Sequence, residues 1–250
     1  MSKRVLSPLL TLATLIGLWW GVVAAFSLPE YLLPSPLVVA AAFRADPGNF
    51  LGHTGHTALE GALGFAIAMG AGVFGGMLLH RFEALRRMLL PWTSALQAIP
   101  IVAIAPLLVV WFGSGLLAKV VMSAVISFFP ILNALLVGFS EIDRDRAALF
   151  RIYRTSYAKT LRHLLFPSAL PTFLMGVKIS AGLAMLGAIV AEMTGADRGL
   201  GYLILNASYR LETPNLFVAI FLSGTLGWSA YSLPDLVRWL LPRYWASARE

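Results

Sequence analysis

Long apolar runs alternate along this chain with shorter segments that hold most of its charge. Six runs have the composition of membrane-spanning helices, which need about 20 mostly apolar residues to cross roughly 30 Å of hydrocarbon. The six runs are Leu9–Phe26, Ala58–Leu79, Met88–Phe112, Leu117–Gly138, Pro171–Ala191 and Leu216–Leu233. The pattern therefore predicts an all-α, polytopic membrane protein with about six transmembrane helices.

Composition supports a lipid environment for these runs. Apolar residues make up 58% of the 250 residues and charged residues only 12%, whereas soluble domains have about 25% charged residues. A chain of this length cannot hide so much apolar surface inside a water-soluble globule. The absence of cysteine excludes disulfides, thiolate zinc ligands and cysteine nucleophiles.

Positive charge is distributed as a membrane topology requires. With the N-terminus inside, the connections predicted to be cytoplasmic hold fourteen Lys and Arg residues, and the opposite connections hold three, Arg44, Arg198 and Arg210. The positive-inside rule thus predicts that both termini are cytoplasmic. It also accounts for the net charge of +7 without nucleic acid as a partner. The first run exceeds the apolar core of a signal peptide, so we expect it to be retained as a span.

Three connections are long enough to contain structure of their own. Residues 27–57 are predicted outside, where Pro36 starts an interfacial helix. Residues 140–170 are predicted inside, with most of the charge, and residues 192–215 outside, with three glycines. The chain divides accordingly into an N-terminal span with its periplasmic or interfacial segment, 1–57, a transmembrane core, 58–245, and a cytoplasmic tail, 246–250.

Some residues of the predicted spans are candidates for the wall of a transport pathway. Three prolines interrupt the third run, and each frees a backbone carbonyl that needs a partner at membrane depth. Lys178 could face the bundle interior and pair with an acid or an anionic substrate, or it could extend to the cytoplasmic edge. The prolines could equally form a structural kink. The pathway candidates are Gln97, Pro100, Lys178 and Glu192.

Two short spacings point to helix packing and to metal binding. Gly72 and Gly76 have the small-xxx-small spacing that lets membrane helices approach closely, although such helices also tolerate glycine without that role. His53 and His56 could share one face of a helix, but no third ligand lies nearby, so we expect a solvated loop. We find no phosphate-binding loop or catalytic dyad. The chain is therefore expected to bind no cofactor and not to be an enzyme.

Several segments resemble a known family. The run Leu164-Leu165-Phe166-Pro167 looks like the end of the E-A-A-x3-G-x9-I-x-L-P loop of binding-protein-dependent ABC importer permeases. Further segments are similar to the sulfonate, nitrate and taurine branch of that family, so that the resemblance covers nearly the whole chain. They are Leu33-Pro34-Ser35-Pro36, Ala98-Ile99-Pro100, Gly176-Val177-Lys178, Ala191-Glu192-Met193 and Gly199-Leu200-Gly201-Tyr202.

This resemblance implies a function, a location and partners. Such a chain lies in the bacterial inner membrane and forms half of a substrate pathway, with a second permease chain as the other half. A periplasmic or lipid-anchored binding protein delivers the substrate. Coupling helices between spans four and five dock on a separate ATPase subunit, which binds ATP and Mg. The coupling residues that the motif implies are Ala148, Leu149, Phe150, Arg151, Arg154 and Pro167.

The coupling loop departs from the family pattern at its centre. Ala148 stands at the position of the motif's Glu and Arg154 at that of its Gly, so we expect a continuous helix through Arg154. Two explanations are open: the ATPase groove tolerates the change, with Leu149 and Phe150 supplying apolar contact, or a second, different permease chain holds the intact loop. A non-transporting membrane scaffold is the alternative function. The identity of the substrate does not follow from these residues.

Overall fold

The computed structural model describes residues 3–240, and this part of the chain is helical, without strands. A five-residue π turn, Leu161–Leu165, joins the helix that ends at Thr160 to the helix that begins at Phe166. The predicted tail 246–250 lies outside the described residues. The described helices are α1 Lys3–Ala25, α2 Pro36–Ala45, α3 Pro47–Arg81, α4 Glu83–Gln97, α5 Ile101–Phe112, α6 Leu116–Ser140, α7 Arg144–Ile152, α8 Tyr157–Thr160, α9 Phe166–Glu192, α10 Leu200–Tyr209 and α11 Thr213–Leu240.

Four helical segments of the described chain are long and apolar enough to cross a membrane. They are α3, α6, the continuous stretch from α8 through α9, and α11, and the bent pair α4–α5 makes a fifth if it counts as one span. α1 contributes a shorter apolar stretch, Leu10–Ala25. The chain is thus a polytopic α-helical membrane protein, as predicted. The count of six spans and the cytoplasmic position of both termini stay predictions.

Two helices, α4 and α5, replace the single helix predicted for the third run. Their directions differ by 102°. Pro100 lies between them, and its ψ of 115° takes the backbone out of the helical range. Proline also lacks the N–H that would continue a helix, and it disfavours helical backbone at the preceding residue, Ile99. Pro91 and Pro106 stay inside their helices. The break at Pro100 therefore separates two helices that the apolar pattern joins.

Helices α3, α6 and α9 form the centre of the bundle, and small residues allow their close contact. A Cβ atom at Gly72 would lie 2.7 Å from Ile131 Cγ2, and one at Gly76 would lie 2.7 Å from Leu135 Cδ2. Ile131 and Leu135 on α6 are fully buried. In lipid, dispersion contacts of this kind hold helices together, since no hydrophobic difference drives their association. The packing role predicted for Gly72 and Gly76 is confirmed.

The segment before α3 contains the helix predicted after Pro36. α2 begins at Pro36, and the Ser35 hydroxyl caps its first turn. α3 then begins at Pro47, where the Asp46 carboxylate accepts an N–H of the first turn at 3.0 Å. Because Asp46 and Pro47 form a good helix start, α3 begins well before the predicted Ala58. The division proposed between residues 57 and 58 lies inside α3.

Candidate functional site

The segment predicted to couple to an ATPase, 140–170, folds as two short helices against one end of the bundle. The Asp143 carboxylate caps the start of α7. The Tyr157 hydroxyl donates a hydrogen bond to the Met77 carbonyl at 3.1 Å and thereby holds α8 to the end of α3. Toward α9, the side chains of the segment become buried or half-buried at Leu164, Leu165 and Pro167.

Between α7 and α8 the chain turns sharply at Arg154. The backbone of Arg154 is left-handed, with a φ of +46°. Its N–H donates to the Arg151 carbonyl at 3.0 Å, and the Thr155 N–H donates to the Phe150 carbonyl at 3.2 Å. This pair of bonds is the Schellman motif, in which glycine usually takes the left-handed position. The expectation of a continuous helix through Arg154 is therefore wrong.

Contacts beyond α7 explain why the turn forms without glycine. The Thr155 hydroxyl donates to the Phe150 carbonyl at 3.0 Å and lies 3.0 Å from the Thr160 hydroxyl. These hydrogen bonds and the packing of α8 outweigh the roughly 1–2 kcal/mol by which left-handed backbone disfavours a residue with a Cβ atom. The turn that the family's glycine would permit is present with arginine in its place.

Five of the six predicted coupling residues form an apolar and cationic surface on and beside α7, and the sixth, Pro167, lies at the start of α9. Arg151 and Arg154 are exposed and line a cavity of about 570 Å³ between α7 and the bundle. Ala148 and Phe150 are half-buried. Next to them, the exposed fractions are 52% at Leu149, 74% at Ile152 and 77% at Tyr153.

The four predicted pathway residues lie in separate surroundings within this chain. Gln97 and Pro100 are exposed at the α4–α5 break, where the Gln97 amide donates to the Thr93 carbonyl at 3.1 Å. Lys178 and Glu192 lie about 21 Å apart along α9, at 1.5 Å per residue. The structure therefore does not bring the four residues together, and their place on a pathway stays a prediction.

Lys178 pairs with an acid of the bundle. Its Nζ lies 2.5 Å from Asp235 Oδ2 on α11 and 4.6 Å from the centre of the Tyr231 ring. The Lys178 side chain is 21% exposed. A carboxylate beside an ammonium group offsets its charge at membrane depth. Lys178 therefore contributes a neutralised pair to this part of α9 and not an isolated positive charge.

Glu192 is buried, with 1% exposed, and ties α9 to α3 and α10. Its Oε1 accepts the Thr57 hydroxyl at 2.7 Å, and its Oε2 accepts the Gly201 N–H at 2.6 Å. The Thr57 oxygen in turn accepts the Leu200 N–H at 2.8 Å. Since a helix start presents unpaired N–H groups and a partial positive charge, a carboxylate is well placed there.

His53 completes this capping of α10 and corrects a prediction. Its Nδ1 accepts the Gly199 N–H at 2.8 Å, and its ring stacks on Tyr202 at 5.7 Å. His53 is thus a half-buried residue of α3 and not part of a solvated loop. Gly199 has a φ of +106°, and a Cβ atom there would overlap the Glu192 carboxylate. The first glycine of the Gly199-Leu200-Gly201 run is therefore required, because another residue could adopt neither this backbone nor this close contact without strain.

A buried ion pair lies on the same face of α3. Glu60 Oε1 and Lys119 Nζ are 3.2 Å apart, with 5% and 7% of their side chains exposed. Removing one member of such a pair costs about 3–5 kcal/mol. We did not predict this pair or the role of Thr57. The spacing of His53, Thr57 and Glu60 by four and three residues marks one helix face and could have signalled the network.

The network and the coupling surface differ in chemistry. At one end of the bundle, Glu192, Thr57 and His53 hold the start of α10, and the buried Glu60–Lys119 pair lies on the same face of α3. The other end exposes arginines and apolar side chains. Among the residues that the structure describes, no group of three or more acids and histidines could hold a metal ion. On the exposed connection before α10, Arg198 donates hydrogen bonds to Asp197 and holds the pKa of that carboxyl below its usual range.

The structure is that of a polytopic membrane protein with a capped connection at one end and two docked short helices at the other. This arrangement agrees with a membrane permease. The family described as binding-protein-dependent transport system inner membrane component matches residues 62–243. The chain belongs to this family, and it is the permease component of an ABC importer. The family consists of membrane permeases and not of enzymes.

Relatives and solved structures agree with this assignment. A probable ABC transporter permease of Haemophilus influenzae is 34% identical over 244 residues, 98% of each chain. The riboflavin transport system permease RibX of Chloroflexus aurantiacus is 35% identical over 95% of this chain and 89% of its own length. A putative aliphatic sulfonates transport permease, SsuC of Escherichia coli, is 31% identical over 92% and 87% of the two chains.

Among solved structures, an amino acid ABC transporter with histidines has a TM-score of 0.62 at 17% identity, over 81% of this chain and 98% of that chain. The MetNI methionine ABC transporter has a TM-score of 0.56 at 20% identity, over 76% and 94%. These likenesses show the shared fold. The resemblance to the sulfonate and taurine type is confirmed, and the scaffold alternative has no support.

Proposed function

We propose that this chain and a second copy of it enclose the substrate pathway of an importer in the bacterial inner membrane, with both termini in the cytoplasm. Segment 140–170 docks on a separate ATPase subunit, which binds ATP and Mg. A periplasmic or lipid-anchored binding protein delivers substrate to the opposite face. The excess of Lys and Arg in the predicted cytoplasmic connections supports this orientation.

The observation that carries the coupling role is the turn at Arg154. Two short helices joined by a left-handed residue are held against the bundle by hydrogen bonds to α3 and within the turn. A pair of helices held in this way can pass a displacement to α3 and α9, because packed elements shift as units. Loss of the motif's glycine has therefore not removed the shape on which docking depends.

The same turn favours a homodimer. The reason to consider a heterodimer is that the loop lacks the motif's Glu and Gly, but this loop forms the turn without the glycine. Purification from the native host tests the point. We expect a single permease species together with substrate-stimulated ATPase activity, whereas a second, different permease chain in the complex would contradict the homodimer.

The surroundings of Lys178 give no support to an anionic substrate, because Asp235 offsets the charge of this lysine. The branch that the chain resembles nevertheless handles small anions. The names of the relatives include a riboflavin system, a formylaminopyrimidine system and aliphatic sulfonate systems. We propose a small polar organic substrate, selected mainly by the binding protein.

Two tyrosines give a matched test of docking. Tyr153 beside the turn is 77% exposed, and Tyr209 at the other end of the bundle is 79% exposed. We expect Tyr153→Asp to weaken capture of the ATPase subunit at least about tenfold, since an exposed aromatic at an interface centre contributes strongly to binding. Tyr209→Asp should leave capture unchanged. Equal capture by both variants and the wild type would refute docking at α7.

A further inference from the structure

The cavity behind α7 is lined mainly by cationic, hydroxyl and apolar groups. It has a volume of about 570 Å³. Arg151 and Arg154 stand at α7 and the turn, the Thr155 and Thr160 hydroxyls lie beside them, and His80 comes from the end of α3. The apolar part of the lining consists of Phe139, Ile142, Ala147, Phe150, Leu164 and Leu165.

The positive charge of this cavity is not offset within the described chain. None of its lining residues has a carboxylate, and no acid of residues 3–240 forms an ion pair with Arg151 or Arg154. Of the nearby acids, Asp143 caps α7 and Glu141 accepts the Thr172 hydroxyl at 2.9 Å. Asp145 lies exposed in the first turn of α7 and does not line the cavity. The Arg151 Nε donates to the Ala147 carbonyl of its own helix at 3.4 Å. The other N–H donors of the two guanidinium groups are available beside this concave surface, with no anionic partner among the described residues.

Arg154 occupies this position at a cost in backbone energy. Glycine would adopt the φ of +46° without a steric penalty, and glycine is the residue that the family motif has here. Strain of this kind at a surface turn points to a role of the side chain. The side-chain property that distinguishes arginine from glycine at this site is its cationic, multidentate head group.

The rim of the cavity is suited to a protein partner. Leu149, Ile152 and Tyr153 are exposed beside the two arginines. Tyrosine and arginine together with apolar side chains are typical of the energetic centre of a protein–protein contact. A free phosphate ion would bind the guanidinium groups but would leave these apolar side chains in water. The combination therefore favours a folded partner that brings carboxylates.

We propose that Arg151 and Arg154 bind carboxylate side chains of the ATPase subunit in this cavity, so that the charge of the coupling contact is the opposite of what the family motif suggests. The motif places an acid at the position of Ala148 and a glycine at that of Arg154. This chain has no charge at the first position and a cation at the second. The inference rests on the proposed docking of α7 and adds the chemistry of the partner surface.

One substitution separates the backbone role of Arg154 from its charge. Arg154→Gly removes the guanidinium group and relieves the left-handed backbone. In the detergent-solubilised permease with its own ATPase subunit, we expect Arg154→Gly to raise the thermal midpoint of the permease by about 2 °C. The same variant should bind the ATPase about tenfold more weakly. Arg151→Gln should weaken binding to a similar extent without raising the midpoint.

Controls distinguish the possible outcomes. Arg87→Gln removes an exposed arginine that does not line the cavity, and its binding should equal that of the wild type. Binding of Arg154→Gly as tight as the wild type would overturn the proposal. Protection of the isolated permease by millimolar inorganic phosphate, without competition against the ATPase, would also overturn it in favour of a small-anion site. Failure of the wild type to bind any ATPase would instead refute the proposed docking itself.

Discussion

At the scale of single residues, Thr57 shows how one hydroxyl joins three helices. It donates to Glu192 at 2.7 Å and accepts the Leu200 N–H at 2.8 Å, and the residue is completely buried. Thr57→Val keeps the volume but leaves a buried N–H without an acceptor. We expect a loss of about 1–3 kcal/mol in stability and faster amide exchange in α10, measured by thermal unfolding and hydrogen exchange.

Thr54→Val is the matched control, because among the described residues the Thr54 hydroxyl bonds to the Phe50 carbonyl of its own helix and not to another helix. This variant should unfold close to the wild type, within about 0.5 kcal/mol. If Thr57→Val and Thr54→Val behaved alike, the network at the start of α10 would have no part in stability. His53, Thr57 and Glu192 would then be packed polar residues without a bracing role.

At the scale of helices, the contact between α3 and α6 depends on which glycines face it. A Cβ atom at Gly72 would lie 2.7 Å and 2.9 Å from two atoms of Ile131, whereas one at Gly70 would have no atom within 4 Å. We expect Gly72→Ala to separate the helices and to destabilise the protein by about 1–3 kcal/mol. Gly70→Ala should be neutral or stabilising by up to about 1 kcal/mol. Unfolding of both variants in the same detergent compares them directly.

Helix existence was easier to predict than helix ends. Every apolar run is helical, the third as two helices, but α3 starts at Pro47 and not at Ala58, because Asp46 and Pro47 supply a cap that hydrophobicity does not register. Pro100 divides the third run, although proline inside α4 and α5 does not. An apolar pattern indicates whether a segment lies in an apolar environment. It does not indicate where a backbone carbonyl loses its hydrogen-bond partner.

At the scale of the whole molecule, orientation can be tested in a chain that has no cysteine of its own. Tyr153→Cys and Tyr209→Cys place single thiols at opposite ends of the bundle. In spheroplasts, a membrane-impermeant maleimide should label Tyr209→Cys at once and Tyr153→Cys only after permeabilisation. The reverse pattern would refute cytoplasmic termini, and the unmodified chain provides a zero-label background.

The membrane class, the helical content and the family followed from amino-acid order alone, because apolar length, charge distribution and short motifs are properties of contiguous segments. The folded chain was needed for the left-handed turn at Arg154, the Glu60–Lys119 pair and the binding of Glu192 by Thr57. Thr57 and Glu192 are 135 positions apart in the chain. Such contacts depend on how three helices pack, and the backbone of Arg154 depends on neighbours that outweigh its own preference. Propensity therefore suggested a continuous helix where packing produced a turn.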